Sequence, residues 1–280
     1  MTSINPLDVL LWTLRRNEKD VINLYDSLSP VMQAATGGSM LNFGYWTEKA
    51  NDPIYAQKNL CDYFGNLADL ENAKTVVDVG SGLAAPAIFW RNQYEKLNLF
   101  CVNINYKQLR FSVPEKNIEF INSTSTKIPL TDNSVDRVLA LESSQHFKPF
   151  EDFISESKRI LTKSGILALA LPVTGSSASL RKLGILKFTW SSEHYDVDLI
   201  KKFVASKGFT ITDERLIGSQ VYDPLSEYYL KNREVLKKSI QEKYPGFVEK
   251  ILFKSILKMK KASEEKIIDY LILKCKPSLI

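Results

Sequence analysis

Leu7, Leu10, Leu11 and Leu14 recur at spacings of three and four, which predicts helix from Pro6 to about Pro30. Asp52-Pro53 opens a second helix reaching about Asn66, with proline at a tolerated first-turn position. From Thr75 the pattern changes. Short continuous apolar runs alternate with helix-length segments: TVVDVG, NLFCVNI, IEFI, VDRVLAL, GILALAL and FTITDERLI. Unbroken apolar runs of this length predict strands buried on both faces, hence a parallel sheet covered by helices. FEDFISESKRILTKSG has helical period and is expected to stop at Gly165. A charged helical region then runs from about Pro224 to Ala262, and IIDYLILKC has strand character. The fold class is α/β, doubly wound.

Composition adds limits. The chain has 280 residues, 44% hydrophobic and 25% charged, which suits one globular domain with a helical cap. Cys61, Cys101 and Cys275 are far apart, and the two histidines are His146 and His194, so neither a disulfide framework nor a metal cage is expected. MTSINPLDVLLWTLRRNEKD has the wrong make-up for a secretory leader, and no run approaches the roughly 18 apolar residues of a spanning helix. A cytoplasmic protein without stable membrane insertion is expected, as monomer or homodimer. The net charge of +5 gathers late, in KNREVLKKSIQEKY and KSILKMKK. Without interleaved aromatics this is a solvated basic face, and no nucleic-acid partner is expected. In VEKILFKSILKMKK, Val248, Ile251, Leu252 and Ile256 form an apolar stripe, expected to cover the domain or a second subunit, with a membrane surface as the alternative.

The candidate chemistry begins at KTVVDVGSGLAAP, residues 74–86. A glycine turn after the first strand of an open sheet lines the ligand crevice. A nucleotide phosphate loop is excluded because no Gly-Lys-Ser/Thr closes the turn. Gly80, Gly82 and Ala85 match a dinucleotide fingerprint in form. The ribose-binding acid about 20 residues on is missing, however, and Asp78 would repel a pyrophosphate. S-adenosylmethionine carries a sulfonium and an ammonium and no phosphate, so the same aspartate favours it. Taken alone, Asp78 serves equally well as a local backbone cap.

Neighbouring motifs bear on this choice: LNFGYW (41–46), VVDVGSGLAAPA (76–87), VNINYKQL (102–109), KIPLTDNSVDRVLALESSQHF (127–147) and SKRILTKSGILALA (157–170). In this order they resemble the class I S-adenosylmethionine-dependent methyltransferases, in the small-molecule branch holding tocopherol, sugar-antibiotic and ubiquinone-pathway enzymes. The resemblance implies a Rossmann-like seven-stranded sheet, mostly parallel with an antiparallel last strand. It divides the chain into a cap (1–66), a cofactor-binding core (74–217), a helical insertion (224–262) and the last strand (266–275).

The resemblance also implies roles. Asp78, Gly80, Ser81 and Gly82 surround the methionine end of the cofactor, with Glu142 and Ser143 nearby. Asn103, Ile104 and Gln108 meet the ribose side, Thr124 and Ser125 the adenine, and Tyr45 and Trp46 close over the cofactor. His146 is the candidate general base for a hydroxyl or amine acceptor. Branch members often have a second histidine and an acid where this chain has Gln145 and Leu171, which leaves His146 alone or proximity to do the work. Trp190, His194 and Tyr195, with Phe188, are candidate acceptor contacts, His194 doubling as a second base. Asp132-Asn133 is expected to be a turn and not a metal pair. The expected reaction is methyl transfer from S-adenosylmethionine, leaving S-adenosylhomocysteine, to a small-molecule acceptor, without a metal. Carbon methylation or cyclopropanation of a lipid, an inert cofactor-binding module and a nucleotide-linked oxidoreductase are the alternatives.

Overall fold

The computed structural model describes residues 6–112, 116–190 and 192–278; the first five residues of the opening stretch lie outside them. The leucine-rich start forms two helices, α1 (Pro6–Arg15) and α2 (Glu18–Thr36), where one was expected. Arg16 takes a left-handed φ of 51°, and Asn17 caps α2 by accepting from the Asp20 amide, with Asp20 returning the bond. That reciprocal cap starts a new helix and breaks the old one. Pro30 lies inside α2, which continues past the predicted end. Helix α3 (Pro53–Leu67) opens at Pro53 as predicted, and Asp52 caps it by accepting from the Tyr55 amide.

The core strands are β1 (Thr75–Val79), β2 (Asn98–Asn103), β3 (Ile118–Asn122), β4 (Val135–Leu141), β5 (Leu161–Thr174), β6 (Phe209–Leu216) and β7 (Ile268–Pro277). They form one seven-stranded sheet in the order β3-β2-β1-β4-β5-β7-β6. Only β7 runs antiparallel, wedged between β5 and β6. Helices α4 (Ala85–Gln93), α5 (Tyr106–Phe111), α6 (Phe150–Ile160), α7 (Leu186–Thr189) and α8 (Val197–Ser206) lie between strands. One face of the sheet packs Leu60, Phe64, Trp90 and Tyr222; the other packs Phe153, Ile154, Ile200 and Val204. The chain winds outward from β1 to β3 and then returns to place β4 on the other side of β1. This reversal opens a crevice at the carboxyl ends of β1 and β4.

Gly165 does not stop a helix. Helix α6 ends at Ile160, and Leu161 already pairs with Val135. The register between β4 and β5 then shifts, so Gly165 lies in a bulge where an added Cβ would meet the Asp136 carbonyl oxygen at 3.2 Å.

The charged region is three helices, α9 (Gly218–Lys231), α10 (Arg233–Lys243) and α11 (Gly246–Glu264), and it begins before Pro224. Asp269 accepts from the Gly218 amide, which fixes that start on β7. The α11 stripe is rotated from the expected one. Ile256 is buried and Val248 and Leu252 pack inward, but Ile251 is 43% exposed. Glu249 takes the inner position, where Arg233 Nε donates to it at 3.1 Å. Val31 of α2 packs with Ile240 and Tyr244, so the cap rests on the insertion. Among the described residues no helix is long and apolar enough to cross a membrane.

Candidate active site

A cleft of about 1100 Å³, counting its open mouth, lies over the carboxyl ends of β1, β2 and β4, beneath α2. Its floor is the turn after β1. Gly80 and Gly82 have φ of 74° and 55°, values that side chains other than glycine rarely adopt. A Cβ on Gly80 would also strike Ser143, so the turn and the end of β4 touch directly. Ser143 Oγ donates to the Val79 carbonyl at 2.6 Å and fastens this contact.

Asp78 ends β1 beneath that turn and is 2% exposed. Its Oδ2 has no hydrogen-bond partner among the described residues. Burial pushes its carboxyl up to about 7. A buried oxygen acceptor without a donor suits a ligand that brings N–H groups. Among the described residues Lys148 is the one cation on the cleft lining, and it is paired with Glu193 at 2.6 Å. These features fit a cationic, phosphate-free ligand and oppose a diphosphate.

The end of β2 is braced. Asn103 Nδ2 donates to the Gly82 carbonyl at 3.1 Å and to Gln108 Oε1 at 3.0 Å, while its Oδ1 accepts from the Asn105 amide. Gln108 Nε2 donates onward to Ser29 Oγ of α2 at 3.0 Å. The expected ribose side therefore also ties the cap to the glycine turn.

Glu142 follows β4 with a φ of 52°. Its Oε1 accepts from the Phe43 amide and from Tyr270 Oη, both at 2.9 Å. Burial outweighs those two bonds and pushes its carboxyl up to about 8. His146 ends a short 3₁₀ turn, Ser144–His146, on the same rim. Its Nε2 is 2.8 Å from Tyr25 Oη, with the rings edge-on. Burial, then the Glu142 charge, raises the Tyr25 phenol, so Tyr25 keeps its proton. In the imidazole tautomer with its proton on Nδ1, Nε2 accepts from Tyr25 Oη.

The structure brings Asp78, Gly80, Ser81, Gly82, Asn103, Ile104, Gln108, Ser125, Glu142, Ser143 and His146 to this one cleft. The other expected site residues lie elsewhere. Tyr45 stacks on Tyr63 at 5.0 Å, and Trp46 donates to the Phe43 carbonyl and packs on Tyr228. Thr124 bonds within its own turn, to Thr126. Trp190 packs on Phe43 and Tyr222, with His194 at 6.4 Å, and burial lowers the His194 imidazole to about 4. Tyr195 lies with Phe150 and Phe203 on the opposite face of the sheet. The aromatic group expected as one pocket is thus divided by the sheet. Asp132 pairs with Arg159, and Asn133 has a φ of 53°, as a turn requires.

Val21, Ile22 and Tyr25 on α2, and Leu41 and Asn42 in the LNFGYW motif, also line the cleft and were not expected there. The available signal was a face of α2 on which Val21, Tyr25 and Ser29 recur every four residues.

Residues 77–169 match the family described as a methyltransferase domain. Erythromycin 3''-O-methyltransferase of Saccharopolyspora erythraea is 23% identical over 262 residues, 86% of each chain. The chain carries a methyltransferase domain and is similar to S-adenosylmethionine-dependent small-molecule methyltransferases. Solved structures agree in fold. The [4+2]-cyclase SpnF superposes with a TM-score of 0.77 at 18% identity, covering 94% of this chain and 98% of its own. Mycolic acid cyclopropane synthase CmaA1, complexed with SAH and CTAB, gives a TM-score of 0.74 at 16% identity, over 93% and 98%.

Proposed function

We propose that this small-molecule methyltransferase methylates a hydroxyl or amine and that His146 is the base that accepts the acceptor's proton. The observation that carries the proposal is the pairing of two opposed groups across one cleft: the buried, donor-less Asp78 carboxylate and the His146 imidazole. The bound cofactor supplies a methyl group already activated on a positive sulfur. Asp78, with the open backbone of Gly80 and Gly82, holds the cationic methionine end. Ile104 and Ser125 border the space for the nucleoside, and Asn103 and Gln108 fix the edge beside it. The acceptor enters under α2, past Val21, Ile22 and Leu41, and its proton goes to His146 Nε2 as the Tyr25 hydroxyl yields that lone pair. Tyr25 holds the imidazole in the tautomer that leaves Nε2 free of hydrogen. Cap closure excludes water and aligns acceptor with donor, which supplies much of the rate. The relative named as an O-methyltransferase supports oxygen as the acceptor atom.

The test is formation of S-adenosylhomocysteine with panels of phenols, sugar hydroxyls, amines and unsaturated lipids. Turnover confined to hydroxyls or amines supports the proposal. Turnover confined to the lipids favours carbon methylation or cyclopropanation, and no turnover with any panel favours a binding module.

A further inference from the structure

Asn42, in the LNFGYW motif, is held on three sides. Gln57 Nε2 donates to the Asn42 carbonyl at 2.9 Å and to the Met40 carbonyl at 3.0 Å. The next amide, Phe43, donates to Glu142. The Asn42 side-chain Nδ2 points at Cys61 Sγ, 3.6 Å away. This leaves Oδ1, which is buried on a cleft-lining residue only 5% exposed and has no donor among the described residues. An amide oxygen in that state destabilises the fold until a donor arrives.

Asp78 presents the same condition. Asn42 and Asp78 line the same cleft and both lie near one thiol: Asn42 donates to Cys61, and Asp78 and Glu142, after burial, raise it. Among the described residues the wall of one cleft therefore holds two buried oxygens without donors. A primary ammonium carries three N–H donors and a charge. An adenine amine or a ribose hydroxyl brings fewer donors and no charge for Asp78 to meet.

We propose that Asn42 Oδ1 joins Asp78 Oδ2 in binding the α-ammonium of the cofactor's methionine end. This rests on the methyltransferase reading of the cleft and adds to it a binding residue supplied by the cap side. Asn42 thereby links cofactor loading to the order of the 40–46 segment, whose backbone Glu142 holds.

The experiment is calorimetric titration of the full chain with S-adenosylmethionine and with 5'-methylthioadenosine, which keeps the nucleoside and sulfur but lacks the amino-acid part. Asn42→Leu is expected to weaken S-adenosylmethionine about ten- to a hundredfold, the range for a hydrogen bond to a charged group, and to leave methylthioadenosine within about twofold. Asn42→Asp, which keeps an oxygen acceptor, is expected to restore S-adenosylmethionine binding. Equal loss of both ligands, or no loss of either, overturns the proposal. Should Asn42→Leu not fold, a structure of the unaltered chain with S-adenosylhomocysteine decides. An amino nitrogen within hydrogen-bond reach of Asn42 Oδ1 supports the assignment, and one bonded elsewhere removes it. An unaltered chain that binds neither ligand is a different result, because it removes the methyltransferase reading itself.

Discussion

The two sides of the cleft are built differently. The side over β1 and β2 comes from neighbours in sequence: Asp78, Gly80 and Gly82 lie on one turn, and Asn103 reaches Gly82 from the adjacent strand. The other side comes from distant segments. Tyr25 meets His146 across 121 positions, and Phe43 meets Glu142 across 99. The first side is rigid because a parallel ladder and two positive-φ glycines fix it. The second holds only while α2 stays docked, through Tyr25–His146, Ser29–Gln108 and Asp26, which accepts from Asn105 and Lys107. On the proposals above, cofactor binding rests mainly on the first side with Asn42 added from the second, and acceptor choice rests on the second.

Substitutions on the two sides should separate accordingly. The largest effect is expected from His146→Ala. Turnover of a hydroxyl acceptor should fall about a thousandfold, within the range for loss of a general base, while calorimetric affinity for S-adenosylmethionine stays within about threefold. Unchanged turnover would remove His146 from the chemistry. Asp78→Asn comes next, with S-adenosylmethionine affinity lowered about a hundredfold, as for loss of a buried charge partner. This variant also carries its own control. A carboxyl raised to about 7 in the folded chain holds a proton that the unfolded chain releases above its ordinary value of 3.8. The folded state therefore loses stability as pH rises through that window, and the loss is complete above about 7. At pH 8 the unliganded Asp78→Asn protein should melt no lower than the parent by differential scanning calorimetry. A large drop would show Asp78 to be a structural cap.

Tyr25→Phe should have the smallest of these effects, a loss of about tenfold in kcat with cofactor affinity unchanged. The acidic limb of the pH–rate profile should also move, because the hydroxyl that sets the His146 tautomer is gone. A structural role alone would lower the rate and leave the profile in place.

The same contrast explains what could be read from the sequence. The central strands were legible because they are buried on both faces and so read as apolar runs, as VDRVLAL does for β4, whereas the edge strands β3 and β6 are largely half-buried or exposed. Asp78 and Gly80 were legible because their chemistry depends on adjacent residues. Tyr25 was not: its partner is fixed only when α2 folds over the sheet. LNFGYW lies at the cleft, with its side chains divided between two surroundings. Tyr45 and Trp46 find aromatic partners in the cap and insertion, whereas Asn42, the polar residue of the motif, faces the cleft. Gly165 misled because glycine suits a helix stop and a strand bulge alike, and only pairing with β4 distinguishes them.

The central claim is that a buried carboxylate without a partner selects a positive donor. Its most direct test is calorimetric titration of the unliganded protein with S-adenosylmethionine between pH 5.5 and 7.5, with NAD as the comparison. Since Asp78 is held protonated up to about 7, cofactor affinity should rise about tenfold or more across that range, one pH unit being worth up to a factor of ten. Binding at the acid end should release a proton, and NAD should not bind. An affinity that stays flat with pH, or a site that takes up NAD, would contradict the account.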